Sequence, residues 1–183
     1  MENPMPALVL PFALGVVTWT LLEYLLHRFV FHEKRLGPWL ARDHLRHHAK
    51  VDWFVPLSTK LALAAVLLSL LTLGASFVGA LPAALYLVGT VSGWGFYEVL
   101  HRRIHVAPPA GAYGVWARRH HLAHHFGHAT KNHGVSSPIW DLVFGTYLPV
   151  AQVAVPRLHA HKFPWLFEGE RIAARWQSHY RVV

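Results

Sequence analysis

Three long apolar runs interrupt an otherwise polar chain. Residues 6–26 are apolar except for Thr18, Thr20 and Glu23; residues 61–79 carry no charge; residues 81–100 carry only Glu98. Each run is about 20 residues, enough at 1.5 Å per residue to cross roughly 30 Å of hydrocarbon. The second and third meet at "VGALP", a Gly/Pro turn that predicts a helical hairpin. The polar stretches 27–56 and 101–155 border these runs, and a tail of 156–183 follows. The Pro/Gly cluster after Val106 ends the third helix. "VWARRHHLAHH" fits a short helix, whereas "NHGVSSPIWDLVFGTYLP" reads as loop with short ordered pieces. The tail mixes Trp165, Phe167 and Trp176 with Arg171, Arg175 and Arg181, and either lies on a membrane surface or caps the domain. The pattern predicts an all-α integral membrane protein. It has about three transmembrane helices and a cytoplasmic helical cap, in a single domain over 1–183.

Composition supports lipid burial: of 183 residues, 54% are hydrophobic and 14% charged. The first run lacks a basic leader and a small-residue cleavage site, so it reads as a retained span rather than a signal peptide. All seventeen Lys and Arg lie within residues 28–60 or 102–183. With the N-terminus outside, three spans place every one on the cytoplasmic side, as the positive-inside rule asks. The net charge of +8 therefore has a membrane explanation, and with no single basic stripe no nucleic-acid partner is expected. The absence of cysteine excludes disulfides, thiolate metal sites and Cys nucleophiles.

Histidine is the outlier, with sixteen in the chain. Four clusters are regularly spaced. They are His27 and His32 (HxxxxH); His44, His47 and His48 (HxxHH); His101 and His105 (HxxxH); and His121, His124 and His125 (HxxHH). On a helix, positions i, i+3 and i+4 share a face, so HxxHH should aim three imidazoles at one point. HxxxxH subtends about 140° on an ideal 3.6-residue helix, so that pair needs a helix end or two metals. The first and third clusters sit where spans reach the cytoplasmic face. The 52 residues between His48 and His101 suit a span out and a span back. Ten convergent imidazoles are too many for one ion and suit two. Neutral imidazole favours Fe, Zn, Cu or Ni. Glu23 and Glu98 lie one turn before His27 and His101, and are expected to accept the second ring N–H of a ligand histidine. His120, His128 and His133 are candidates for extra ligands by nearness alone. His159, His161 and His179 read as ordinary polar residues. A short internal echo links residues 19–32 and 94–105: both run from Trp, four on to Glu, then His-Arg and a second His.

Taken in order, "EYLLHRFVFH", "HLRHH", "YEVLHRRIH" and "HHLAHH" resemble the fatty acid hydroxylase/sterol desaturase superfamily of membrane di-metal oxygenases. "NHGVSSPIWDLVFGTYLP" resembles its C-terminal signature, and the likeness covers roughly residues 17–149. By that resemblance the ten clustered histidines match the family's metal ligands, and Asn132 and Asp141 fall in the signature as supporting residues. The resemblance implies two Fe ions, with Zn able to take their place, and O₂ as co-substrate. It implies O₂-dependent attack on a C–H bond of a fatty acyl or related lipid. Electrons would come from a separate donor of cytochrome b5, ferredoxin or rubredoxin type. Within the family, the first box and the tail most resemble the fatty acid 2-hydroxylases, although Val106 stands where those tend to have a further His. Arg and Ala content and compact length suggest a bacterial inner membrane ahead of the endoplasmic reticulum.

Rival readings remain at this level. A lipid desaturase or a carotenoid- or sterol-type oxidase of the same superfamily would show the same boxes, as would a chain that has kept the metals and lost activity. A carboxylate di-iron bundle needs two Glu-x-x-His motifs, and only "EVLH" is present. A membrane haem protein needs two facing histidines rather than four clusters. A metal carrier is expected to place its ligands at mid-membrane rather than at one face.

Overall fold

The computed structural model describes residues 5–183, which are mostly helical. The main helices are α1 (Met5–Leu25), α2 (Pro38–Ala49), α3 (Leu57–Ala75), α4 (Ala80–Val106) and α5 (Gly111–Phe126). A π-helical segment, Leu26–His32, follows α1 directly. Short helices α6 (Ile139–Val143) and α7 (Arg157–Ala160) come later. As the Pro/Gly cluster predicts, α4 stops at Val106. The expected hairpin turn is a 3₁₀ turn, Ser76–Val78, closed by Gly79 at φ 95°.

The chain forms two compact units. One runs to Leu22 and resumes over Val55–Glu98; the other is Glu23–Phe54 with Val99–Val183. In the first, α1 and α4 touch through glycine. A Cβ at Gly15 would overlap the Tyr86 carbonyl, and one at Gly89 would overlap that of Phe12. Small residues permit such backbone approach between apolar helices, where lipid supplies no hydrophobic drive to hold them. Trp19 packs on Trp94 and Tyr97, with ring centroids 6.4 and 5.7 Å apart. Leu61, Val66, Leu70 and Leu73 of α3 point outward. Leu8–His32 and Leu57–Gly74 are long and apolar enough to cross a membrane, by length and composition. The expected third span lies within α4, where Thr90, Ser92, Gly93 and Gly95 dilute the apolar run.

The second unit contains all four histidine clusters. Its core includes Tyr24, Ile104, Leu122 and Val135. Its tail corrects the all-α expectation. β1 (Val153–Val155) pairs in parallel with β4 (Tyr180–Val182), and β2 (Phe167–Glu168) pairs antiparallel with β3 (Arg171–Ile172). Gly169, at φ 62°, turns the second ribbon. Strands of two or three residues are too short to show a period-2 pattern in sequence. Phe163, Leu166 and Tyr180 bury themselves in this tail, and Phe163 meets Phe126 of α5 edge-on. The tail thus caps α5.

Candidate metal centre

All ten clustered histidines converge, in two groups of five. Site A is His27, His32, His44, His48 and His124. Site B is His47, His101, His105, His121 and His125. Within each, one nitrogen per ring lies within 4.8 Å of all the others. The expectation that each HxxHH aims at one point is corrected here. His44 and His48 face site A while His47 faces site B; His121 and His125 face site B while His124 faces site A. The i, i+4 pair is one turn apart on a common line, whereas i+3 falls about 60° short of a full turn and reaches the neighbouring site.

The HxxxxH pair finds its answer in the π-helix. There the backbone bonds run from i to i+5, as Glu33 N–H to Arg28 O at 2.9 Å shows at its end. Five residues then close about one turn, so His27 and His32 share a face, with rings 5.0 Å apart. His101 and His105 do the same at i, i+4 within α4.

Hydrogen bonds fix which nitrogens are bare. A carbonyl has no proton to give, so a ring nitrogen bonded to one must carry N–H, which leaves the other nitrogen of a neutral imidazole as a lone pair. His27 Nδ1 donates to His133 O at 2.5 Å, His124 Nδ1 to Lys131 O at 2.7 Å and His47 Nδ1 to Trp53 O at 2.6 Å. Their Nε2 lone pairs face inward. His124 Nε2 is 2.9 Å from His32 Nε2, and His47 Nε2 is 3.0 and 3.1 Å from those of His101 and His105. The buried Nε2 atoms of His27 and His48 have no hydrogen-bond partner. Adjacent ligands at right angles, with metal–nitrogen bonds of about 2.1 Å, lie roughly 3 Å apart. The donor set, its spacing and its bare lone pairs therefore fit a divalent transition ion in each site.

The protonation equilibria agree. Burial holds His44, His105, His121, His124 and His125 well below the ordinary imidazole value, and neighbouring imidazoles add to the effect. His48 is pushed down to about 3, first by burial. All six are neutral at pH 7, the form a metal binds.

A polar scaffold holds the carbonyls in place. Asp141 is fully buried and accepts the N–H groups of His133 and Gly134, each at 2.8 Å, the Thr146 hydroxyl at 2.7 Å and His120 Nε2 at 3.3 Å. Glu23 accepts the N–H groups of Val135 and Ser136 and the Ser136 hydroxyl. It thus acts on His27 through the loop rather than by touching the ring. Asn132, at φ 57°, exchanges two hydrogen bonds with the Leu148 backbone. Glu98 differs from its expected role: it pairs with Lys60 and accepts Trp94 Nε1 at 3.2 Å. Of the extra candidates, His120 binds Asp141, His128 is exposed, and His133 lies outside both five-membered groups. The His133 ring stands 5.3–5.6 Å from those of His27, His32 and His124. The carbonyls of Trp53 and Lys131 were invisible to residue-type reasoning, because any residue can offer a carbonyl.

Comparison with known proteins decides the lineage. The fatty acid hydroxylase model matches residues 12–146. The chain belongs to the fatty acid hydroxylase family. Among curated members of that family, it is 34% identical to the dihydroceramide fatty acyl 2-hydroxylase FAH2 of Arabidopsis thaliana over 83% of this chain and 66% of that one. It is 32% identical to the fatty acid 2-hydroxylase of Macaca fascicularis over 75% of this chain and 39% of that one. The chain thus spans less than two thirds of these relatives. The solved structure of full-length scs7p, in which only the hydroxylase domain is visible, matches with a TM-score of 0.64 and 29% identity. That match covers 81% of this chain and 58% of the other. These relatives are eukaryotic, so they lend no support to a bacterial membrane.

Proposed function

We propose that this chain is an O₂-dependent lipid hydroxylase whose two five-histidine sites hold a pair of irons. The observation that carries the reading is the convergence of ten imidazoles, three of them with tautomers set by backbone carbonyls. Such a site has no use for haem, whose iron takes axial ligands rather than a five-imidazole cage. The irons, when bound, supply O₂ activation with electrons delivered by a donor protein. The overall reaction is R–H + O₂ + 2e⁻ + 2H⁺ → R–OH + H₂O.

The chain's own part is positional. The 131–136 loop orients His27 and His124, and Glu23 and Asp141 hold the loop. Burial of His47, His121 and His124 keeps bulk water from the donors. The substrate class favoured by the relatives is a fatty acyl chain, free or within a ceramide, attacked at its 2-position. Val106 is half exposed at the end of α4, and both sites already have five imidazoles without it. We further infer three membrane spans, with the N-terminus outside and the metal sites on the cytoplasmic face. The apolar α1 and α3, the charge-poor 81–100 stretch of α4 and the distribution of Lys and Arg support this arrangement.

The test combines two measurements on protein from iron-supplemented cells. Elemental analysis should find about two metals per chain without haem absorbance. Lipid analysis of the expressing cells should find 2-hydroxy fatty acids. One metal or none would overturn the paired site. Two metals with a desaturated product would retain the site and replace the reaction.

A further inference from the structure

Sites A and B are near copies in their ligands but not in the charges behind them. Behind site A lies buried Asp141, bonded to the backbone of His133 and Gly134. Burial alone would push its carboxyl up, but the donors from His120, Thr146, Gly134 and His133 outweigh that and hold it below the usual carboxylate value. It is an anion at neutral pH, on α6, and it anchors the loop whose carbonyl holds His27.

Behind site B lies a cation that the proposed reaction does not use. Arg118 precedes His121 by three residues on α5 and is only 2% exposed. Its Nη2 donates to the Arg103 carbonyl at 2.5 Å, on the turn of α4 between His101 and His105. Its guanidinium lies over the Trp165 ring at 4.3 Å. Nε and Nη1 have no hydrogen-bond partner, and no carboxylate among the described residues pairs with it. The Arg118 charge lies near enough to His105 to disfavour a second positive charge there. Burying a guanidinium without a counter-ion is costly, and its placement brings an unpaired positive charge beside site B, whereas Arg28, next to His27 of site A, is paired with Glu33 at 2.9 Å.

We propose that Arg118 makes the two metal sites unequal, so that site A takes the first divalent ion and site B holds the second more weakly. The proposal rests on the paired-site reading above. A unit charge held out of water near a dication is a strong repulsion, and the two dissociation constants should differ on the order of tenfold or more.

The test is calorimetric titration of chelator-stripped, full-length protein in detergent with cobalt(II). The unaltered chain should bind two ions in two resolved steps. Arg118→Met, which keeps an unbranched stem and loses the charge, should tighten the weaker step and narrow the gap. Arg118→Lys should preserve the gap. A second route leaves Arg118 in place: His101→Ala should retain the tight step, and His32→Ala the weak one. Two equal steps, an unchanged gap in Arg118→Met, or the reverse assignment in the histidine variants would overturn the inequality while leaving the paired site standing. No cobalt in either site would overturn both.

Discussion

At the scale of single residues, the site is built from lone pairs whose direction is set by backbone. His47 and His124 each lack an i, i+4 partner in their own site, and each is steered by a carbonyl six or seven residues on. Replacing either by Ala should abolish product and lower bound metal. His179→Ala, a change in the tail that reaches neither group, should leave both unchanged; elemental and lipid analysis of the three variants checks this. Asp141→Asn should also tell. An amide turns an N–H toward donors that need an acceptor, the 133–134 backbone loses its anchor, and metal affinity should fall about 10–100-fold, as for other supporting partners of metal ligands. Cobalt titration reads that loss. The ten converging histidines could be read from sequence because imidazole is rare and its spacing is periodic. The role of Glu98 could not: its position one turn before His101 repeats that of Glu23, but Lys60, far off in sequence, occupies it.

At the scale of elements, the π-helix matters most. On an α-helix His27 and His32 diverge by about 140°, and the extra residue per turn is what brings them together. Deleting one residue from 28–31 should let the segment relax to an α-helix. His27 and the second histidine would then sit at i, i+4, but α2 and everything after it would be displaced by one residue relative to α1, which pulls His44 and His48 out of register with His27. We expect metal content to fall from two to one per chain, by elemental analysis, with helical content by circular dichroism retained. The π-helix was hidden in the sequence because its bonding pattern has no composition signature; only the awkward five-residue spacing hinted at it. The split of each HxxHH between two sites was hidden for a related reason. Spacing says which residues share a face, and it does not say how many targets lie in front of that face.

At the scale of the whole molecule, the second unit buries an unusual number of neutral imidazoles, and its stability should follow their protonation. A histidine whose folded value is depressed favours the folded state above its unfolded value of about 6.5, and that contribution is lost as pH falls through the folded value. His44, His48, His105, His121, His124 and His125 all shift downward. The metal-free protein should therefore melt progressively lower as pH drops below about 6.5. The metal-loaded protein should melt higher at every pH where the ions stay bound. Thermal melts of both forms between pH 7.5 and 5 check the prediction, and a metal-free melt indifferent to pH would contradict it. The helical layout and the meeting of all four boxes were legible in the chain. The β-ribbon tail was not, since its strands are too short to print a period.

The crossed assignment of α2 and α5 has one more consequence. The π-segment with α2 contains four imidazoles of site A, and α4 with α5 contains four of site B. Each half then reaches across with one more, His47 or His124, from the same place in its HxxHH. That is how two subunits of an isologous dimer exchange a residue through their twofold axis. The centre has the form of a pair of partners joined in tandem in one polypeptide, in which neither half can complete its own ligand shell.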